Sequence, residues 1–211
     1  MEKVMTTIRV HEGDISFSAA MSYTQSIAVD TETLGLVPHR DRLCIVQLSP
    51  GDGTADIIRI ASGQKEAPNL VKLLADPSSE KIFHYGRFDI AVLFYAFGVM
   101  TEKIFCTKIA SRLTRTYTDY HSLKDNVKEF LGRDISKLQQ SSDWGADALS
   151  SEQLEYAASD VIYLHALRDK LVLRLEREGR IELARSCFQF LPSRARLDLL
   201  GWDKVDIFAH S

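Results

Sequence analysis

The sequence predicts an α/β protein, in which a mixed β-sheet of about five strands is flanked by helices and followed by a helical C-terminal segment. Three observations support this fold class. Short apolar runs bounded by turn residues fill the first half of the chain, and apolar residues at helical spacing dominate the second half. Between them, strands and helices alternate. Such an order is typical of a sheet that helices cover on both faces.

The strands are recognised from short apolar runs and from the turns between them. The predicted strands are residues 26–32, 43–48, 55–60, 81–84 and 103–106. Residues 49–53, Ser-Pro-Gly-Asp-Gly, join the second strand to the third. Because these residue types favour turns, the two strands are expected to form an antiparallel hairpin.

The helices are recognised from apolar residues three and four positions apart and from the residues at their ends. The predicted helices are residues 68–75, 90–97, 121–131, 151–178 and a segment of about 180–211. Pro68 suits the first turn of a helix, and Ser150 or Ser151 suits an N-cap. Gly98 and Gly132 follow the ends of two others, where glycine is favoured.

Size and charge limit the classes of function. The 211 residues, with 45% hydrophobic and 26% charged side chains, predict one globular domain over residues 1–211. The formal net charge of −3 gives no general basic character for binding long nucleic acid. A polyanionic substrate would have to be short, or meet positive charge supplied locally or by bound metal. Met5 is an alternative start to Met1.

Membrane and compartment signals point to the cytoplasm. Nothing approaches 18 continuous apolar residues, and no early apolar run resembles a signal peptide. Cys44, Cys106 and Cys187 have no paired spacing, which is typical of a reducing compartment. The sequence therefore predicts a cytoplasmic protein with no membrane partner.

A pair of carboxylates ends the first predicted strand. Asp30 and Glu32 lie two residues apart, so they share one face of the strand. Two adjacent carboxylates repel each other unless a cation lies between them, and their hard oxygens suit Mg²⁺ or Mn²⁺. An isolated pair of this kind is more often a solvated strand end.

Two further segments carry acidic residues at defined positions on predicted helices. Asp89 falls in the first turn of a helix, where the helix dipole alone would explain it. Tyr156 and Asp160 lie four residues apart and share one helix face beside an apolar stripe. An aspartate there would be costly to desolvate without a cation. Taken singly, each is still more often a structural residue than a functional one.

Together, these segments resemble the ribonuclease D branch of the DnaQ-like 3′-5′ exonucleases, which is characterised by four carboxylates and a tyrosine. The matching motifs are Asp30-Thr31-Glu32, His84-x-x-x-Phe88-Asp89 and Tyr156-x-x-x-Asp160. The resemblance extends over about residues 26–170 and implies a ribonuclease H-like sheet. A sister branch carries histidine five residues before its last aspartate. Glu155 stands there instead, which favours the tyrosine branch.

The resemblance implies a metal-dependent 3′-5′ exonuclease that releases 5′-mononucleotides. The implied catalytic residues are Asp30, Glu32, Asp89, Tyr156 and Asp160, of which the four carboxylates bind metal. Two divalent ions, Mg²⁺ or Mn²⁺, about 4 Å apart would clamp the attacking and leaving oxygens. Because a free tyrosine has a pKa near 10, Tyr156 is expected to orient the attacking water rather than act as a strong base.

Substrate-binding residues are assigned by the same resemblance. The implied set is Thr33, Leu36, His84 and Phe88, with Leu36 wedged against the terminal base. For Leu36, packing in the core is an equal alternative. The remaining candidates are left open between substrate contact and a structural role: the cations are His39, Arg40, Arg42, Arg112 and Arg115, and Trp144 would stack on a base or pack on a helix.

The end of the chain affects the expected substrate. Ribonuclease D proper continues into helical nucleic-acid-binding domains, whereas few residues follow the motif core here. The chain thus looks most similar to the short, single-domain oligoribonucleases of the nanoRNase C group. That resemblance implies short RNA as substrate, dinucleotides among them, and a homo-oligomeric ring such as an octamer. The alternatives are an exonuclease that acts on DNA or trims structured RNA, and a catalytically silent binding module.

Overall fold

The computed structural model describes residues 6–210, so the choice between Met1 and Met5 as the start lies outside the described residues. The strands are β1 Thr7–Glu12, β2 Ser26–Thr33, β3 Leu43–Ser49, β4 Thr54–Arg59, β5 Glu80–Phe83 and β6 Ile104–Cys106. The helices are α1 Phe17–Ala20, α2 Pro68–Ala75, α3 Arg87–Phe97, α4 Thr107–Thr114, α5 Leu123–Leu131, α6 Ser151–Ile162, α7 Leu164–Arg177 and α8 Ile181–Leu197. A further turn, Asp198–Trp202, follows α8.

All the described strands belong to one mixed sheet, in the order β1-β4-β3-β2-β5-β6. Strand β3 runs antiparallel to both β2 and β4, so the predicted hairpin is confirmed. The β1–β4, β2–β5 and β5–β6 pairs are parallel. The predicted fold class, a mixed sheet flanked by helices with a helical C-terminal segment, is therefore confirmed, with one strand more than expected.

Strand β1 was missed because its sequence, Thr-Ile-Arg-Val-His-Glu, has no continuous apolar run; the strand lies at the sheet edge, and none of its residues is buried. A buried carboxylate fastens it to β4. Asp56 accepts hydrogen bonds from Arg9 Nη2 at 2.6 Å and from the Tyr23 hydroxyl at 2.7 Å, and its other oxygen lies 2.7 Å from His11 Nε2. These partners lower the Asp56 pKa against the effect of burial. Tertiary pairing, rather than local pattern, thus defines this edge.

The helices also differ from the predicted set in three places. The expected helix over 151–178 is divided at Tyr163 into α6 and α7. Helices α1 and α4 were not predicted, since each has only one or two turns. In contrast, α2 has the predicted bounds of 68–75 and begins at Pro68.

Packing of α6 against the sheet positions the later motif beside the earlier one. Ala157 and Ala158 are fully or almost fully buried, and α6 contacts β2, β3 and β4. Small side chains allow the helix backbone to approach the strands closely. As a result, the residues on the same stretch of α6 lie near the end of β2.

Helix α8 covers the edge of the sheet that β6 forms. Phe188 on α8 packs against Phe105 of β6, with ring centroids 4.8 Å apart, and Leu191 and Ala195 are also buried. One face of α8 therefore belongs to the core, through Ala184, Phe188, Leu191 and Ala195. Among residues 6–210, no helix combines the length and apolar character needed to cross a bilayer.

Candidate active site

Three carboxylates meet where β2 ends and α6 passes over it. Asp30 and Glu32 occupy alternate positions of β2, and Asp160 approaches from α6. One oxygen from each of the three lies within 4.8 Å of the others. The structure thus brings together three acids that are up to 130 residues apart in sequence.

The fourth predicted acid, Asp89, lies beside this group without belonging to the same three-oxygen set. It is buried in the first turn of α3 and accepts a hydrogen bond from Thr31 Oγ1 at 2.7 Å. Because Thr31 stands between Asp30 and Glu32 on β2, the hydrogen bond fixes Asp89 relative to the strand. Asp89 lines the same cavity as the other three acids.

Burial and mutual repulsion make this cluster unfavourable when ionised. Burial raises the pKa of Asp30 well above its usual range, and the charges of Asp89 and Asp160 raise it further. Burial likewise raises the pKa of Glu32 to about 9 and those of Asp89 and Asp160 to about 7. Among residues 6–210, none of the four has a lysine or arginine nitrogen within 4.0 Å.

A divalent cation fits this arrangement. Several hard oxygens converge in a half-buried position, and no ion pair with a protein cation neutralises them in the described part of the chain. Carboxylate oxygens are the ligands that Mg²⁺ and Mn²⁺ prefer. The residues present therefore suit a divalent metal ion, with Asp30, Glu32 and Asp160 as the group best placed to hold it.

Metal should change how stability depends on pH. The folded pKa values of Glu32, Asp89 and Asp160 lie above their unfolded values, so their stabilising contribution is present at low pH and is lost as pH rises through about 7 to 9. Bound Mg²⁺ favours the ionised carboxylates and offsets that loss. We expect Mg²⁺ to raise the free energy of unfolding more at pH 9 than at pH 6.

Denaturant unfolding in EDTA and in excess Mg²⁺, at both pH values, measures this effect. Comparing the two conditions at each pH removes the contribution of distant groups such as buried Lys81, whose pKa burial lowers to about 8. Equal Mg²⁺ stabilisation at both pH values would contradict the expectation.

Tyr156 lies one helical turn before Asp160, on the same face of α6. Burial raises the pKa of its hydroxyl well above 10, and the negative charges of Asp160, Glu32 and Asp30 raise it further. The hydroxyl is therefore protonated at every working pH. The Trp144 ring lies 5.9 Å from the Tyr156 ring, and Trp144 is only 3% exposed. Of its two predicted roles, packing is the one the structure supports.

One cavity of ≈ 610 Å³ contains all these side chains. It is lined by the five predicted catalytic residues, Asp30, Glu32, Asp89, Tyr156 and Asp160, and by the four predicted substrate-binding residues, Thr33, Leu36, His84 and Phe88. Leu36 is 82% exposed on the loop after β2, so it is not a core leucine. His84 lies 2.8 Å from Thr107 Oγ1 through Nδ1, and burial lowers its pKa to about 3. His84 is therefore neutral and supplies no charge for a phosphate.

The arginines that were candidate phosphate ligands have other partners. Arg40 forms an ion pair with Asp41, and Arg42 donates to the Ile60 carbonyl at 2.9 Å. Arg115 is buried in an ion pair with Glu129. His39 and Arg112 do not line the cavity either. Of the two roles left open for these five cations, the structural one is therefore the one that the structure supports.

Three lysines that sequence reasoning missed line the cavity instead: Lys108, Lys124 and Lys137. The positive charges of Lys108 and Lys137 help to lower the pKa of His84. The pKa values of the four carboxylates are shifted mainly by burial, by hydrogen bonds and by one another's charges. The cavity thus combines the carboxylate cluster with these three cations. Lys108 is the second residue of α4, which directly follows the short strand β6. This position was the one sequence signal that Lys108 lies near the site.

Tyr85 is a further residue of the cavity wall that was not predicted. It is exposed, and Lys108 Nζ lies 4.4 Å from its ring centroid. Its backbone has φ 71°, a left-handed conformation that is rare for an aromatic residue and is often found at functional sites. The adjoining motif residue His84 could have drawn attention to it.

The fold and the acidic cavity define a phosphodiester-cleaving exonuclease domain, and comparison with known proteins agrees. A family model described as 3′-5′ exonuclease matches residues 9–176. The chain therefore belongs to the 3′-5′ exonuclease family, with the ribonuclease H-like fold of its DnaQ-like members. Ribonuclease D of Gluconacetobacter diazotrophicus is 35% identical over 156 residues, covering 74% of this chain and 39% of that protein. The chain thus corresponds to about two fifths of that relative's length.

Among solved structures, the chain is similar to nucleases of about its own length over nearly the whole chain. A structure described as the apo form of the nuclease has 73% identity and a TM-score of 0.97, covering 98% of this chain and 100% of the other. Brucella melitensis NrnC with bound Mg²⁺ has 61% identity and a TM-score of 0.94, and NrnC bound to pGG has 62% and 0.95. Both NrnC comparisons cover 98% of this chain and 100% of the other. The predicted resemblance to this group is confirmed.

Proposed function

We propose that this protein is a metal-dependent 3′-5′ exoribonuclease that hydrolyses short oligoribonucleotides, dinucleotides included, to 5′-mononucleotides. One observation carries the proposal: four carboxylates, Tyr156 and three lysines share a single cavity of ≈ 610 Å³. That volume is in the range of small-ligand sites, about 300–1,000 Å³. The net charge of −3 also disfavours long polyanions. The binding of pGG by Brucella NrnC supports a short substrate.

The carboxylates would hold two divalent ions, Mg²⁺ or Mn²⁺. Asp30, Glu32 and Asp160 supply the converging oxygens, and Asp89 supplies a further oxygen beside Thr31. Two bound ions supply Lewis-acid stabilisation of the attacking and leaving oxygens. The support is the oxygen donor set, together with the Mg²⁺ bound in the NrnC structure.

The other residues of the cavity bind and orient the substrate. The protonated Tyr156 hydroxyl directs the attacking water by hydrogen bonding, while its raised pKa makes it a poor base. Leu36 and Phe88 pack against the terminal base, and Thr33 contacts the 3′ end. His84, which is neutral, lines the floor without adding charge. Lys108, Lys124 and Lys137 attract the phosphate that is not being cleaved.

The test is the turnover of 5′-labelled substrates of two to twenty nucleotides with Mg²⁺ or Mn²⁺. We expect pGG to be cleaved with a higher kcat/KM than longer RNA, and deoxyribonucleotides of equal length to be cleaved more slowly. Faster cleavage of long strands would reject the short-substrate proposal but leave a 3′-5′ exonuclease. Equal rates on ribose and deoxyribose would support the DNA-directed alternative. Tight nucleotide binding without cleavage would support the binding-module alternative.

We further propose a single-domain protein over residues 1–211 that works as a homo-oligomer, such as an octameric ring. The apolar residues of the C-terminal segment divide into two groups. Phe188 and Leu191 are buried in the core, whereas Leu200, Trp202 and Phe208 are exposed. Exposed apolar side chains in one segment are typical of a subunit contact. A monomeric mass by light scattering at micromolar concentration would contradict this.

A cytoplasmic location belongs to the same proposal. Cys44, Cys106 and Cys187 are all free, which agrees with a reducing compartment. The expected substrate, short RNA, is also found there.

A further inference from the structure

The turn that follows α8 contacts both walls of the cavity, although it does not line the cavity itself. One wall is the loop after β2, which carries Leu36, and the other is the turn before α3, which carries Tyr85. Two consecutive residues of the C-terminal turn, Asp198 and Leu199, contact these two walls. The contacts lie outside the catalytic set and are formed by residues that the mechanism does not use.

The first contact is an ion pair between Arg87 and Asp198. Nε and Nη2 of Arg87 donate to the two different carboxylate oxygens, the Nη2 bond being 2.7 Å long. Nη2 also donates to the backbone carbonyl of Asp203 at 2.6 Å. Two parallel N–H···O bonds fix orientation as well as distance. Arg87 stands between Tyr85 and Phe88, so the pair fixes the turn that presents both rings.

Arg194 makes the C-terminal turn a rigid partner for this ion pair. Its Nη2 lies 2.9 Å from Asp198 Oδ1 and donates to the Trp202 carbonyl at 2.6 Å. Its Nη1 donates to the Val205 carbonyl at 3.1 Å. The Asp198 carboxylate is thus shared by two arginines and is largely buried. Charge-assisted hydrogen bonds in a partly buried site are stronger than exposed ones.

The second contact joins His39 to Leu199. His39 Nε2 donates to the Leu199 carbonyl at 2.7 Å, and the His39 ring packs edge-on against Tyr95 with centroids 5.0 Å apart. His39 lies three residues after Leu36 in the same loop. The loop that carries the exposed Leu36 is therefore held at its far end by the C-terminal turn.

We propose that the C-terminal turn is a positioning element that sets the separation of the two cavity walls, with Arg87 and Asp198 as its main positioning pair. Leu36 and Tyr85 lie on separate segments of the chain, and a nucleotide between them needs both in place. Misplacement by about 1 Å can cost about 100-fold in rate. The proposal rests on the proposed function, because it assigns a role in binding the same short substrate.

The test compares Asp198→Asn and His39→Phe with wild type on pGG and Mg²⁺. Asp198→Asn removes the shared charge at constant size. His39→Phe keeps a ring against Tyr95 and removes only the donor to Leu199. We expect kcat/KM for pGG to fall about 10- to 100-fold in the first variant, through a higher KM, and by a smaller factor in the second. Mg²⁺ affinity should be unchanged in both, because the carboxylates that bind it lie on β2, α3 and α6.

A purely structural role gives a different result. Partial unfolding lowers the amount of active enzyme, so Vmax falls while KM stays constant, whereas loss of positioning raises KM. Arg185→Gln is the matched control, since it breaks an exposed ion pair with Glu182 on the same α8 helix. KM equal to wild type in Asp198→Asn and His39→Phe would overturn the proposal, whatever their melting temperatures.

Two further measurements separate this inference from the function on which it rests. Calorimetric binding of pGG in Ca²⁺ reports substrate positioning without turnover, and Asp198→Asn should bind it at least tenfold more weakly than wild type. If wild type binds pGG but does not cleave it, the proposed function fails while positioning is still measured. Arg87→Lys keeps the positive charge but cannot form the two parallel hydrogen bonds to Asp198, so it should also raise KM. A wild-type KM in this variant would count against the ion pair.

Discussion

Replacing Asp30 with Asn is expected to lower kcat on pGG by about 10³-fold or more. Asp30 lies in the middle of the carboxylate cluster, and one of its oxygens lies within 4.8 Å of oxygens from both Glu32 and Asp160. An amide keeps the size of the side chain but loses the negative charge that a divalent ion requires. Stabilisation of charge by bound metal is worth several kcal/mol in reactions of this kind.

The same substitution should stabilise the metal-free protein. Burial and three neighbouring acids hold the Asp30 pKa well above its usual range, so the ionised side chain is unfavourable in the fold. A neutral amide removes one of these interacting charges. We therefore expect the free energy of unfolding in EDTA at pH 8 to be higher for Asp30→Asn than for wild type, and the gain to shrink at pH 5. A functional site that opposes stability is a common outcome.

Kinetics on pGG and denaturant unfolding in EDTA measure the two effects on the same preparations. Glu155→Gln is the matched control, because it removes an exposed carboxylate from α6, next to Tyr156, without touching the cavity. It should keep wild-type kcat and stability. Wild-type activity in Asp30→Asn would reject the assigned metal site, and lower stability in EDTA would reject the electrostatic account of the cluster.

The carboxylate cluster could be predicted because its pattern is local at each motif. Alternation along a strand puts Asp30 and Glu32 on one face, and a four-residue spacing puts Tyr156 and Asp160 on one helix face. The order of the motifs then suggested that they meet. The sequence did not show how the four acids are arranged. Oxygens of three acids lie close together, whereas Asp89 stands beside them and is hydrogen-bonded to Thr31.

The positive charges of the site could not be predicted in the same way. Arg40, Arg42 and Arg115 are close in sequence to the motifs, but each has its charge satisfied by a neighbour or a carbonyl. Lys124 and Lys137 come from α5 and from the segment that follows it, with no shared spacing. Which cation faces a cavity depends on tertiary partners, and a single chain carries no local pattern for that.

Edges and ends of the fold were equally hard to predict. Strand β1 depends on the buried Asp56, whose partners are more than 30 residues away in sequence. The break at Tyr163 interrupts a helical pattern that continues on both sides of it. The turn at Asp198 carries no local sequence signal and is defined by its contacts with Arg87 and His39. In each case a long-range contact overrides or completes a weak local preference.

Replacing Tyr156 with Phe is expected to lower kcat by about 100-fold and to leave the shape of the pH–rate profile unchanged. The first effect follows from losing the hydroxyl that orients the attacking water, since a misplacement of about 1 Å can cost about 100-fold in rate. The second follows from the environment of the hydroxyl. Burial, with the charges of Asp160, Glu32 and Asp30, raises its pKa well above 10, so it never ionises in the working range.

The pH profile decides between the two roles that a tyrosine can have here. If Tyr156 acted as a base, its ionisation would shape the alkaline limb, and Tyr156→Phe would remove that limb as well as lowering the rate. If it orients water while protonated, both proteins share one profile, and the difference between them is a constant factor. Phe keeps the ring packing against Trp144, 5.9 Å away, so a changed profile cannot be assigned to lost packing. An altered alkaline limb would therefore reverse the assignment of Tyr156 from a water-orienting residue to a base.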